Sequence, residues 1–248
     1  MLTVTEKLIT SPRRPNRKLK TLKGIILHWT ANKNPGAGAV AHWKYFNNFH
    51  DGRAASAHYL VDAENIISCV PDDEVAFHVG AKMHQYTPLA RQIMEGPGDT
   101  PNNYLIGIEL CVNEDNDLEK TRRNGAELTM RLMERYGLGI HQVHRHLDIT
   151  GKNCPQEVIN GKDENDWQAF LREVESFRTP APQPVEEPVV EEPDLAPEQA
   201  VVVEEEAVTP MKEMNEKEKS PAASVKDWPF WKQLWFALQV YWKGLFVQ

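Results

Sequence analysis

The sequence predicts an α/β protein whose mixed central β-sheet is flanked by helices. Two observations support this fold class: short apolar runs rich in β-branched residues, and longer segments whose apolar residues recur at helical spacing. The two kinds of segment alternate along the chain up to about residue 178. Such alternation is typical of a sheet that is covered by helices on its faces.

Four segments are predicted to be strands. Residues 23–28 form a short apolar run and are expected to lie in the centre of the sheet. Residues 57–62 and 66–70 flank a short polar turn, which predicts a pair of adjacent strands. Residues 104–112 are strongly apolar but contain a glycine and a glutamate, and they supply the fourth strand.

The helices are predicted from amphipathic spacing. Residues 40–48 carry aromatic residues among polar ones, residues 118–136 form a long helix that ends at a glycine, and residues 165–177 form a last short helix. The stretch 81–103 is rich in proline, glycine and polar residues, with a short helix expected only at 89–94. Because long loops are uncommon unless they serve a site, we expect this stretch to form the wall of a cleft.

The composition divides the chain into three parts. Residues 1–178 mix apolar and charged residues and predict a globular domain. Residues 179–226 are rich in proline and contain twelve acidic and four basic residues, which predicts a disordered, extended linker. Residues 227–248 hold four of the seven tryptophans. Since the linker alone accounts for the net charge of −8 and no basic stripe is visible, nucleic-acid binding is not expected.

The cysteines and the N-terminus indicate the compartment in which the protein is synthesised. The three cysteines, Cys69, Cys111 and Cys154, are an odd number without framework spacing, so a disulfide-stapled secreted fold is not expected. The first ten residues lack the basic start and apolar core of a secretory signal. We therefore expect synthesis in the cytoplasm without a signal peptide.

The segment VHRHLDITGKNCP at residues 143–155 predicts a zinc site. It places an imidazole, an ammonium and a thiol close together, at His146, Lys152 and Cys154. Imidazole and thiolate are zinc ligands, and a catalytic zinc site usually has three protein ligands and a water. His28, which ends the first predicted strand, is the best candidate for the third ligand. Spacing alone leaves open that Cys154 is an inert buried residue.

Glu109 stands inside an otherwise apolar strand, where an ionised carboxylate is costly unless it is paired. One interpretation is a partly exposed position at a sheet edge. The other is a carboxylate that points into a zinc cleft and accepts a proton from water. Cys111, two residues later, is expected to point to the same face and to serve in packing.

Five motifs occur in the order seen in zinc-dependent N-acetylmuramoyl-L-alanine amidases, which the chain therefore resembles. They are IILHWT at 25–30, SAHY at 56–59, FHVG at 77–80, IGIELC at 106–111 and RHLDITGKNCP at 145–155. The resemblance covers about residues 20–160 and is strongest to the type found in phage endolysins and bacilli, related to the peptidoglycan recognition proteins. It implies cleavage of the amide between the lactyl group of N-acetylmuramic acid and the L-alanine of the peptidoglycan stem peptide.

The resemblance also implies roles for five residues. His28, His146 and Cys154 match the ligands of the family's Zn²⁺ ion. Glu109 matches the general base of the endolysin subgroup. Lys152 matches the lysine that stabilises the developing oxyanion.

Three further residues in the matching motifs, Trp29, His58 and His78, are expected at the substrate cleft. Some family members carry a tyrosine where this chain has Ala57, so acid–base work is expected to fall on Glu109. His144 is a rival of the neighbouring ligand, but the match favours His146. The remaining histidines are expected at the surface or on helices: His42, His50, His84 and His141.

The C-terminal segment 227–248 predicts an amphipathic helix. Pro229 is placed to open it, and the polar positions Lys232, Gln239 and Lys243 cluster on one side at helical spacing. The other side is rich in tryptophan and leucine, and the apolar run is too interrupted for a membrane span. We expect an interfacial helix that binds an anionic membrane or lipopolysaccharide. The alternative is packing on the amidase domain or on another copy.

Together these observations predict a monomeric phage or prophage endolysin. Residues 1–178 would be the zinc amidase domain, which acts on the bacterial cell wall after release through a membrane lesion. Two alternatives remain open: a cytosolic amidase that recycles anhydro-muropeptides, and a non-catalytic peptidoglycan-binding protein.

Overall fold

A computed structural model describes residues 2–179 of the chain. The predicted C-terminal helix 227–248, and all of the predicted linker 179–226 except its first residue, lie outside the described residues. Within the described part, six strands alternate with five α-helices. The strands are β1 (Val4–Glu6), β2 (Gly24–Trp29), β3 (Tyr59–Val61), β4 (Ile66–Ser68), β5 (Leu105–Leu110) and β6 (Val143–Arg145). The helices are α1 (Ala39–Asn47), α2 (Pro88–Ile93), α3 (Leu118–Tyr136), α4 (His146–Thr150) and α5 (Glu164–Ser176).

The strands form one mixed sheet in the order β1-β4-β3-β5-β2-β6. Strands β3, β5, β2 and β6 run parallel to one another, β4 is antiparallel to β3, and β1 is parallel to β4. The predicted mixed α/β fold is therefore confirmed, and every strand and helix predicted within residues 2–179 is present with small shifts at its ends. Strands β1 and β6 and helix α4 were not predicted.

The long helix α3 has the bounds that its sequence predicts. The Asp117 side chain caps its first turn by accepting a hydrogen bond from the backbone N–H of Lys120 at 3.0 Å. Gly137 ends the helix with φ of +64°, a left-handed conformation that glycine adopts without strain.

The two faces of the sheet have different covers. Ile25 and Leu27 of β2 belong to a core that includes residues of α3 and α5. Ile26 lies between them in sequence and points to the other face, where it packs with residues of α2 and α4. His28 shares this second face with Ile26. The candidate ligand His28 therefore lies on the side away from the two long helices, whereas Trp29 packs against the core that they cover.

The parallel strands end at one edge of the sheet. His28 of β2 lies opposite Glu109 of β5, and Leu27 lies opposite Arg145, the last residue of β6. Residues that follow these strands are therefore gathered at the same edge, where ligand sites of open α/β sheets occur. No helix among residues 2–179 is both long and apolar enough to cross a membrane.

Candidate active site

His28, His146 and Cys154 meet at the carboxyl edge of the sheet. His28 ends the buried part of β2, and His146 is the first residue of α4, directly after β6. Cys154 follows α4 in a loop that is tied back by a hydrogen bond from the backbone N–H of Leu147 to the Cys154 carbonyl oxygen at 3.0 Å. All three side chains are buried, and one ligand atom of each lies within 4.8 Å of the others.

Two of the three distances in this cluster, both from His28, are close to those of a tetrahedral zinc site. His28 Nδ1 lies 3.0 Å from His146 Nδ1 and 3.7 Å from Cys154 Sγ. Zinc binds nitrogen at about 2.0–2.1 Å and sulfur at about 2.3 Å, so tetrahedral ligands stand about 3.3 Å apart for two nitrogens and about 3.6 Å apart for nitrogen and sulfur. The donor set of two imidazoles and one thiol is also one that zinc prefers.

Burial keeps the cluster uncharged when no cation is present. It lowers the pKa of the His28 imidazole well below its ordinary value, and the charges of the neighbouring imidazoles and of Lys152 act in the same direction. Burial and the positive charge of Lys152 together lower the pKa of His146 to about 4. Burial also raises the pKa of the Cys154 thiol to about 12. Two neutral imidazoles therefore present lone pairs at neutral pH, and binding of a cation would release the thiol proton to solvent.

Glu109 lies beside this cluster and lines a cleft of about 540 Å³. Lys152 lines the same cleft. Burial raises the pKa of the Glu109 carboxyl to about 8, and the positive charge of Lys152 opposes this rise. One carboxylate oxygen, Oε2, is buried and has no hydrogen-bond partner among the described residues. An acceptor that lacks a partner at a cleft is available to take a proton from a bound molecule.

The other predicted cleft residues fall in different places. Trp29 lines the cleft as expected. His78 and His58 are buried behind the cluster and are not among the residues that line the cleft. His58 is held by the Glu74 carbonyl oxygen at 2.9 Å and by the N–H of Gly107 at 2.9 Å. A direct contact of His58 or His78 with substrate stays a prediction, and the buried positions of the two rings do not support it.

The wall of the cleft differs from the predicted one. The stretch 81–103 does not contribute to the cleft lining, since its apolar side chains pack into their own core with residues of α4 and β5. The wall is formed by α1 and by residues near Arg53 instead. His42 of α1, expected to be an ordinary helix residue, is half-buried and lines the cleft. The aromatic residues next to His42 on α1 are the feature of the sequence that could have indicated its position at the cleft.

Asp148, in the first turn of α4, binds Arg145. Its carboxylate accepts hydrogen bonds from the Arg145 backbone N–H at 2.7 Å and from the guanidinium at 2.7 and 3.1 Å. This pair fixes the first turn of α4, which His146 begins. The predicted packing role of Cys111 is confirmed, because it is fully buried in an apolar cluster with Leu60.

A sheet edge with two imidazoles, a thiol and a carboxylate at a cleft is the arrangement of metal-dependent hydrolases. The sequence model described as N-acetylmuramoyl-L-alanine amidase matches residues 18–157, and the chain belongs to this family. The match contains every candidate ligand and catalytic residue named above.

Three relatives illustrate the similarity. A probable N-acetylmuramoyl-L-alanine amidase of Bacillus licheniformis is 38% identical over 167 residues, which are 66% of this chain and 44% of that protein. The solved structure of a mutant endolysin from Bacillus subtilis has a TM-score of 0.56 and 30% identity over 70% of this chain and 99% of its own. The catalytic domain of XlyA has a TM-score of 0.56 and 28% identity, again over 70% and 99%. The chain thus spans less than half of the curated relative and nearly all of each solved domain.

Proposed function

We propose that the chain is a zinc-dependent N-acetylmuramoyl-L-alanine amidase that cleaves the amide between N-acetylmuramic acid and L-alanine of the peptidoglycan stem peptide. The observation that carries the proposal is the convergence of His28, His146 and Cys154 beside a cleft that contains Glu109 and Lys152. Family membership and the similarity to endolysin domains support the same reaction.

The residues divide the chemistry between them. When bound, zinc supplies a water of lowered pKa and polarises the substrate carbonyl. Glu109 takes the proton of the attacking water through its unpartnered oxygen and later passes it to the leaving amine of L-alanine. Lys152 is exposed at the cleft and donates to the oxyanion that develops on the carbonyl oxygen.

Partial burial of Glu109 serves this exchange of protons. A carboxyl whose pKa is near the working pH accepts and releases a proton with little energetic cost in either direction. The nearby positive charges of Lys152 and of a bound cation hold the carboxylate ionised before the reaction.

We further propose an endolysin that acts at the bacterial cell wall, with residues 1–178 as the catalytic domain. The acidic segment 179–226 would act as a tether, and segment 227–248 would bind an anionic envelope surface. The charge pattern and the tryptophan content of the sequence support these two roles.

The reaction is tested with the zinc-loaded full chain and purified sacculi. Mass analysis should find glycan strands with a free lactyl carboxyl group and peptides with a free L-alanine amino group. Cys154→Ser should lose both zinc and activity, while His144→Gln should keep both. Cleavage at another bond, or full activity of Cys154→Ser, would refute the proposal.

Two parallel assays separate the alternatives. A recycling amidase would cleave soluble anhydro-muropeptides and leave intact sacculi largely untouched. A non-catalytic binding protein would sediment with sacculi and release no fragments.

A further inference from the structure

We infer that His78 is a positioning residue that fixes the orientation and the tautomer of His28, so that Nδ1 of His28 faces His146 and Cys154. The inference rests on the proposed zinc site and adds to it a residue that contacts a ligand without binding the metal. It assigns to His78 a role different from substrate contact.

The hydrogen bonds of His78 leave one consistent arrangement of protons. Its Nε2 lies 3.1 Å from the carbonyl oxygen of Leu105, which only accepts, so this nitrogen carries the proton. In a neutral imidazole the other nitrogen is then an acceptor. Nδ1 of His78 lies 3.2 Å from Nε2 of His28, which must therefore donate.

The consequence for His28 is a bare Nδ1. This atom is the one that lies 3.0 Å from His146 Nδ1 and 3.7 Å from Cys154 Sγ. Among the hydrogen bonds of the described residues, neither ring is bound to a carboxylate that would favour a charged form. The backbone of Leu105 thus sets, through His78, which nitrogen of His28 is free to bind a cation. Metal-bound histidines commonly donate their other N–H in this way.

The ring of His78 is itself held in place. A Cβ atom on Gly107 would lie 2.6–2.8 Å from three atoms of the ring, so only glycine allows the ring this close to β5. The His58 ring packs on it edge to face at 5.6 Å between centroids. The His28 ring does the same at 5.2 Å. The FHVG and IGIELC motifs therefore meet at one contact, the His78 ring against Gly107.

The test compares zinc affinities measured by competition with a chelator. His78→Leu removes the acceptor and should weaken zinc binding by about 10- to 100-fold. His78→Asn keeps an acceptor oxygen near the position of Nδ1 and should recover most of the loss. Gly107→Ala displaces the ring and should also weaken binding. His144→Gln, an equally buried histidine that packs near Gly24, should leave the affinity unchanged.

A second readout separates positioning from structural support. The absorption spectrum of the cobalt-substituted protein should change in His78→Leu and return towards that of the unaltered chain in His78→Asn. An affinity of folded His78→Leu within about twofold of the unaltered chain would overturn the inference while leaving the zinc site intact. If His78→Leu does not fold, equal affinity in Gly107→Ala and the unaltered chain would overturn it. Failure of the unaltered chain to bind zinc would instead refute the proposed function.

Discussion

His28 and Glu109 lie directly opposite each other on the neighbouring parallel strands β2 and β5. Side chains at paired positions of adjacent strands point to the same face of a sheet. One pair of the sheet register thus places a candidate metal ligand next to a candidate base. The spacing between them is set by the strand pairing and not by a loop, which makes the arrangement rigid.

Glu109→Gln should lower the activity of the protein and raise the stability of its metal-free form. The amide cannot accept the proton of the attacking water, so turnover on sacculi should fall by at least about 100-fold. At pH 8 the unfolding free energy of the metal-free protein should rise by about 1–3 kcal/mol, because the amide is neutral. It replaces a carboxylate with one buried oxygen that has no partner among the described residues. Denaturant unfolding measures the second effect.

Zinc content is the control for Glu109→Gln and should stay at the level of the unaltered chain. Turnover within a few-fold of that chain would exclude Glu109 as the base. A variant less stable at pH 8 would show that the carboxylate is paired in solution.

Lys152→Met should lower kcat on sacculi with little change in KM. A fixed donor to an oxyanion contributes about 3 kcal/mol to the transition state, which corresponds to about 100-fold in rate. The matched control is Lys44→Met, because Lys44 is also exposed and lies on α1 outside the cleft lining. Equal loss in both variants would indicate a general effect of charge on substrate binding.

Much of the fold could be predicted from the sequence, and the elements that could not be predicted have physical reasons. Helix α3 is long and strongly periodic, so its bounds follow from capping and spacing. Strand β6 has only three residues, two of them basic, and is held in the sheet by its neighbour β2. Its pairing is a tertiary effect that no local pattern reveals.

The candidate site could likewise be predicted only in part from the sequence. The resemblance identified the residues that converge at the sheet edge, because the motifs contain the candidate ligands and catalytic residues themselves. It did not show that the His78 ring contacts His28 on the side away from the other two ligands. That contact depends on how closely the His78 ring approaches Gly107 of β5. The cleft wall was assigned to the wrong segment because residues 81–103 bury their own apolar side chains.

The metal-free protein should lose stability as the pH falls below about 6.5. The pKa values of His28 and His78 lie well below 6.5 in the folded state and that of His146 is about 4, so only the unfolded chain takes up these protons at first. His146 alone should account for about 2 kcal/mol between pH 7 and pH 5. Denaturant unfolding at the two pH values measures the loss.

Glu109 acts in the opposite direction, because its raised pKa makes the folded state take up a proton first as the pH falls from 8. The measurement is therefore made in the Glu109→Gln variant, with and without His146→Gln. Equal unfolding free energies at pH 7 and pH 5 in Glu109→Gln would contradict the burial of neutral imidazoles.

Removal of the residues after Ser224 should abolish sedimentation with vesicles that contain anionic lipid. The proposed interfacial helix carries the aromatic residues and the lysines that such binding requires. Cleavage of purified peptidoglycan in solution should persist, because the candidate site lies within residues 28–154. Unchanged sedimentation of the shortened chain would reject the envelope-binding role.

X-ray absorption at the zinc edge identifies the ligand atoms of the proposed site. The full chain loaded with one equivalent of zinc should show one sulfur ligand at about 2.3 Å, two imidazole nitrogens at about 2.0 Å and one further light atom. In Cys154→Ser the sulfur signal should vanish. A site without sulfur in the unaltered chain, or an unchanged spectrum in Cys154→Ser, would contradict the account.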